Sequence, residues 1–228
     1  MNPTLSAVPT PLAERPVERL THGPDDRLIE GHAGGHAGGS AEGLADKLAE
    51  QLARQRDAFL RDEAPTLAER RSHLARLKRE LINRRNAIEA ALAADFGHRS
   101  RHETTILEVM TVVQGIDYLS RHLRRWMRPS RRHVAVHFQP ARAYVLYQPL
   151  GVIGIMAPWN YPLSLVLMPL ATALAAGNRA MIKPSEFTPA TSALLAAMLA
   201  DLFPSEQVAV VQGDAATGAA FAALPFDH

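Results

Sequence analysis

The spacing of apolar residues changes along the chain, and each change marks a new kind of element. Leu44, Leu48 and Leu52 recur every four residues and trace one face of a helix. Leu74, Leu77, Leu81, Ile88 and Leu92 stripe a second helix. Thr66-Leu67-Ala68-Glu69 opens it with a capping-box pattern, and Gly97 supplies a stop. A third helix is predicted from about His102 to Trp126, with Ile106, Leu107, Met110, Val113, Leu119 and Leu123 as its apolar side and Pro129 ending it. The period then becomes two. Val134, Val136 and Phe138 alternate with smaller or polar residues, Pro140 to Arg142 makes a turn, and Tyr144 to Tyr147 is a second β-like run. Together they predict a hairpin.

From Gly151 the pattern is β-α-β-α-β-α. Strands are expected at Gly151 to Met156, Ala180 to Lys183 and Val208 to Val211. Helices are expected at Leu163 to Ala176, from Pro189 to about Leu202, and at Ala215 to Ala223. Gly177-Asn178 stops the first of these, and Thr188 with Pro189 opens the second. Short apolar strands alternating with helices argue for a parallel sheet covered on both faces. Ligands of such sheets bind beyond the carboxyl ends of the strands. Those ends are Ala157-Pro158-Trp159-Asn160, Lys183-Pro184-Ser185-Glu186 and Gln212-Gly213-Asp214. The polar residues of this half therefore gather at one edge.

Composition narrows the classes. The 228 residues are 47% hydrophobic, with a formal net charge of +2, too weakly basic to imply nucleic acid. The run Arg121, Arg124, Arg125, Arg128, Arg131 and Arg132 lacks the aromatic pattern of a nucleic-acid module and reads as a solvated or subunit-pairing face. The chain contains no Cys, hence no disulfide, no Cys-ligated metal and no thiol nucleophile. The apolar run Leu150 to Gly177 is interrupted by Pro158, Asn160, Pro162 and Pro169, which argues against a membrane span. The first residues lack the pattern of a signal peptide, so a cytoplasmic location is the default. Residues 1–43 read as a disordered tail whose Gly-His-Ala-Gly repeat, with His32 and His36, lacks the pre-organisation of a metal site. No metal site is expected. Asp95-Phe96-Gly97 and His102-Glu103 imitate kinase and zinc-protease motifs without the residues that must accompany them.

The chemistry of the edge is less specific than its position. No Walker loop and no Gly-x-Gly-x-x-Gly is present. A Lys and a Glu three apart at a strand end suit ribose hydroxyls and a phosphate. An Asn on a Pro-framed loop suits a developing oxyanion, although Asn160 taken alone reads as a turn residue.

The combination says more. The stretch from Gly151 to Pro189, "GVIGIMAPWNYPLSLVLMPLATALAAGNRAMIKPSEFTP", and the continuation "FPSEQVAVVQGDAATGAAFAALPFDH" resemble the aldehyde dehydrogenase superfamily. Upstream, "ADFGHRSRHET" and "YQPLG" are similar to it as well, and the wording of residues 96–132 resembles the coniferyl aldehyde dehydrogenase branch. The resemblance implies an α/β fold: N-terminal helices plus a β-hairpin leading into an incomplete Rossmann-like parallel sheet. The implied divisions are a helical segment 44–132, an oligomerisation hairpin 133–148, and the first part of an NAD(P)-binding domain at 149–228. By resemblance Asn160 is the oxyanion-stabilising residue. Lys183 and Glu186, with Ser185 between them, would bind the adenosine ribose of the cofactor. Met156, Ala157, Pro158 and Trp159 would wall the cofactor groove, and Gly213 would leave room at the adenine end.

The implied activity is NAD- or NADP-dependent oxidation of an aldehyde, an aromatic one of the coniferyl type, through a thiohemiacetal and a thioester. Glu186 favours NAD, because a carboxylate repels a 2′-phosphate. A homodimer or homotetramer is implied, with neither nucleic acid nor membrane as partner. The family's catalytic Cys, its general-base Glu and its Gly-x-Thr-x-x-Gly turn have no counterpart here, so the chain reads as truncated before the Cys and inactive alone. The alternative is a non-catalytic remnant that binds nucleotide or pairs with another subunit.

Overall fold

A computed structural model describes residues 41–228; the expected tail, with its Gly/His repeat, lies outside the described residues apart from its last few positions. The chain opens with helix α1 (Ala41–Arg61). Helix α2 (Leu67–Asn83) starts at the capping box read from the sequence: the Thr66 hydroxyl accepts from the Glu69 amide, and the Glu69 carboxylate accepts from the Thr66 amide at 2.7 Å.

The single second helix expected from the apolar stripe is two helices. At Arg84 the backbone turns to φ −90°, ψ 10°, and α3 (Arg85–Phe96) follows. Its guanidinium is held at that corner by Glu80 and, at 2.6 Å, by Asp201. The corner lets one apolar stripe serve two surfaces: α2 packs on α5 (Thr111–Trp126) and α6 (Ser164–Ala176), and α3 packs on α7 (Pro189–Leu202). Leu74, Leu77, Leu81, Ile88 and Leu92 are all fully buried.

The third expected helix also differs. A turn of helix, α4 (Arg101–Glu103), passes into a π-helix over Thr104–Met110 before α5 begins. The buried face runs from Leu123 and Leu119 back through Ile116 and Val112 to Val109, Glu108 and Thr104. Ile106, Leu107 and Met110, expected in the core, are instead exposed. Hydrophobicity misassigned this end because the inward position is held by an acid with a structural task, described below.

The hairpin is displaced as well. Strand β1 (Ser130–Arg132) pairs antiparallel with β2 (Ala143–Val145), while Val136–Phe138 forms a 3-10 turn in the connection. Val136 and Phe138 are 79% and 68% exposed. Among the described residues, nothing covers them.

Strands β3 (Val152–Met156), β4 (Arg179–Lys183) and β5 (Val208–Val210) form a parallel sheet in that order. Alternate side chains divide between two cores. Ile153, Ile155, Ala180, Ile182 and Val208 join the core built with α2, α3, α5, α6 and α7. Val152, Met181 and Ala209 point the other way, onto Leu48 and Leu52 of α1 and Phe221 of α8 (Ala215–Ala222). Along the remaining edge of β3, the Asp227 amide donates to the Val152 carbonyl and the Gly154 amide to the His228 carbonyl.

The turn from α6 to β4 ties the two cores to the sheet. Gly177 sits in the left-handed region at φ 87°, and a Cβ there would lie 2.7 Å from the buried Arg70 guanidinium. The neighbouring Asn178 accepts from the Leu150 and Gly151 amides, so helix end and strand start are locked together.

Candidate functional site

The parallel register aligns the ends of β3 and β4. Met156 stands beside Lys183, and the Ala157 amide donates to the Lys183 carbonyl at 3.1 Å. The Pro158–Pro162 loop therefore leaves the sheet directly beside the Lys183–Glu186 turn. Ala157 is buried, whereas Met156, Pro158, Trp159 and Asn160 are exposed on the rim.

Asn160 is fixed through its backbone and open at its side chain. Its carbonyl accepts from Arg99 Nη1 at 3.1 Å. Its side-chain amide makes no hydrogen bond among the described residues. The flanking rings are engaged: the Arg99 guanidinium lies 4.9 Å from the Tyr161 ring and 4.7 Å from the Phe96 ring, and Phe96 faces Trp159 at 6.4 Å. Pro162 is buried, and α6 starts two residues on.

Glu108 supplies the cap that α6 lacks in its own sequence. It is fully buried, and its Oε2 accepts from the Leu163 and Ser164 amides at 3.2 and 2.8 Å. Its Oε1 lies 3.3 Å from Arg99 Nη1, at ion-pair distance but without a hydrogen bond. Burial raises the carboxyl's pKa above the ordinary 4.5, opposed by the Ser164 amide and by the charge of Arg99.

At the end of β4, Lys183 is only 3% exposed, and its Nζ donates to Glu186 Oε2 at 2.7 Å. That hydrogen bond holds the exposed Glu186 carboxyl below its usual range. Ser185 is turned into the loop: its Oγ accepts from the Phe187 amide, and its carbonyl accepts from the Ser192 hydroxyl. A cleft of about 220 Å³ lies against this turn, lined by Pro184, Ser185, Glu186, Pro189, Gln212 and Gly213. The larger cleft of about 800 Å³ is at the opposite, amino end of the strands, among Asp62, Glu69, His73 and Glu206.

Gly213 has a demand of its own. A Cβ there would meet Thr217 Oγ1 at 2.2 Å, while Thr217 is held by Asp214, the N-cap of α8. The turn by itself thus requires glycine at this position. Thr188 was the expected cap of α7, but it makes no side-chain cap. The carboxylate of Asp95, from the end of α3, accepts from the Ala190 and Thr191 amides at 2.9 and 2.8 Å. Asp95 thus has a definite task unrelated to the kinase triplet it imitates.

The donor set fits a dinucleotide's ribose. An ionised carboxylate and a buried ammonium stand side by side at a strand end, able to accept from one hydroxyl and donate to its neighbour. Asn160 and the Lys183–Ser185–Glu186 turn are brought to one edge, with Gly213 in the adjoining turn. Sequence reasoning did not find Arg99, Glu108 or Asp95. The signal for Glu108 was an acid on the inward face of the π-helix that leads into α5; Arg99 and Asp95 lie in irregular or terminal positions.

The aldehyde dehydrogenase family model matches residues 32–225. The chain belongs to the aldehyde dehydrogenase family. It is 50% identical over 175 residues to a Pseudomonas aeruginosa protein named "Probable coniferyl aldehyde dehydrogenase", a match covering 77% of this chain and 37% of the relative. A coniferyl aldehyde dehydrogenase of a Pseudomonas species is 45% identical over 175 residues, with 77% and 36% covered. Among solved structures, the substrate-bound state of Staphylococcus aureus AldH superposes with a TM-score of 0.74 at 26% identity, covering 78% of this chain and 38% of that one. The chain therefore spans somewhat over a third of the length of the relatives it matches.

Proposed function

We propose that these residues supply the oxyanion donor and part of the NAD(P) site of an enzyme that oxidises an aromatic aldehyde of the coniferyl type to its acid. The observation that carries this is Asn160. Its backbone is pinned by Arg99, while the residue is exposed at the carboxyl edge and its side-chain amide has no partner among the described residues.

In this reading a thiolate adds to the aldehyde to form a thiohemiacetal, and the Asn160 amide donates to the oxygen as it gains charge. A neutral donor suits a charge that exists only briefly, and a pre-aimed one needs no reorganisation. Collapse to the thioester and hydrolysis complete the oxidation. Bound NAD or NADP supplies the hydride acceptor. Lys183 and Glu186 would hold its adenosine ribose, and Met156 to Trp159 would form the wall beside it. The ionised Glu186 favours NAD over NADP. The 228 residues contain no Cys, so the thiol comes from elsewhere and this chain alone is inactive. A homo-oligomer paired through residues 133–148 and a cytoplasmic location belong to the same reading.

The reading frame beyond codon 228 tests it. A continuation carrying a Gly-x-Thr-x-x-Gly turn and a Cys is expected. The protein made from it should form NADH from coniferyl aldehyde, and N160A should lower kcat by about 10²–10³ while leaving NAD affinity unchanged. Undiminished kcat in N160A would remove the oxyanion role. A stop codon in an intact locus would select the other reading, to which the missing Cys lends weight: a non-catalytic chain that binds nucleotide or pairs with a subunit.

A further inference from the structure

Two side chains hold the Asn160 loop, and neither belongs to the loop. Arg99 lies between α3 and α4, its side chain 7% exposed. It donates to the Asn160 carbonyl and places its guanidinium against the rings of Tyr161 and Phe96. Glu108 lies on the π-helix, with no exposure at all. It accepts from the amides of Leu163 and Ser164, where the loop becomes α6, and stands 3.3 Å from Arg99. The loop is therefore gripped on both sides of its central residue by one buried ion pair. Glu103, 3.5 Å from Arg99 Nε, is the other acid at the guanidinium, and it is half-exposed.

We propose that Arg99 and Glu108 are positioning residues for Asn160: Glu108 sets Arg99 and the start of α6, and Arg99 sets the loop that aims the amide. The proposal rests on the oxyanion reading of Asn160, but it concerns how the loop is ordered and is tested without turnover. Burying a charged pair is a poor way to gain stability, since apolar replacements of similar volume often do as well. A pair placed here instead determines one loop conformation, the pre-organisation that an oxyanion donor requires. The π-helix belongs to the same device, because such widened turns recur where a helix must present a functional side chain.

Trp159, beside Asn160 and 54% exposed, is a reporter built into the loop. The chain's only other tryptophan is Trp126, so W126F leaves a single emitter. In that background, acrylamide quenching of Trp159 is measured for the 228-residue chain and for R99M, R99K and E108Q. The control is R85M, which removes an exposed arginine of α3. We expect the quenching constant to rise about twofold in R99M and E108Q, as a loop released from its anchors opens locally. R99K, which keeps charge but loses the planar fork and ring stacking, should rise by less. E108Q keeps an acceptor for α6, so a purely structural role would shift the melting temperature and leave quenching unchanged. Equal quenching in E108Q, R99K and the parent overturns the proposal, and the same comparison decides it if R99M fails to fold. Loss of activity in N160A of the longer, Cys-containing protein, together with unaltered loop order in these variants, would leave the oxyanion reading standing and overturn this one.

Discussion

Gly213 and Thr217 show how one residue meets two demands. The absent Cβ leaves space for the Thr217 side chain, which Asp214 fastens at the start of α8. G213A should lower stability by about 1–3 kcal/mol, because neither Thr217 nor the backbone has room to give. Urea unfolding checks this, and an unchanged midpoint would show that the turn relaxes freely. Glu186 is the reverse case: its carboxylate is exposed, and its partner Lys183 is the buried member of the pair. The placement of Asn160, Lys183 and Glu186 at the carboxyl ends of β3 and β4 was legible in the sequence, because the strands and their ends follow from local alternation. Arg99 was not legible, because its task is defined by a carbonyl and two rings from other elements.

Two of the helices are capped from across the chain, whereas α2 and α8 are capped by their own sequence. α7 is capped by Asp95, and α6 by Glu108, each from a helix that precedes it by many residues. D95A should cost about 1 kcal/mol and lower the melting temperature, whereas T188A should cost less, since Thr188 only reaches the Ser185 carbonyl at 3.4 Å. The opposite order would restore the local cap read from the sequence. Glu108 carries a pH signature. Its pKa is raised in the fold by burial, so its contribution is fully present below the ordinary value of 4.5 and is lost as pH rises through the raised folded value. The stability of the parent relative to E108Q should therefore fall as pH increases from about 4.5 upward. Urea unfolding at a series of pH values measures this difference, and a rise over that window would contradict the burial assigned to the group. The sequence marked every parallel strand and every helix after Gly151, because alternation and end signals there are local. It merged α2 with α3, and it misplaced the hairpin, because a corner at Arg84 and a pairing through Ser130–Arg132 depend on partners elsewhere in the fold.

At the scale of the molecule, the parallel sheet separates two cores and carries polar residues at both ends of its strands. Alternation along β3, β4 and β5 sends one set of side chains to α6 and α7 and the other to α1 and α8. At the carboxyl ends of the strands stand Asn160 and the Lys183–Glu186 pair, the proposed oxyanion donor and ribose clamp. No helix among the described residues is long and apolar enough to cross a membrane. The most direct test of this account is calorimetric titration of the 228-residue chain with NAD, alongside E186A and NADP. The account predicts that NAD binds, that NADP binds more weakly, and that E186A weakens NAD about tenfold or more by removing the ribose acceptor. NAD affinity that is unmeasurable, or the same in E186A, would contradict it.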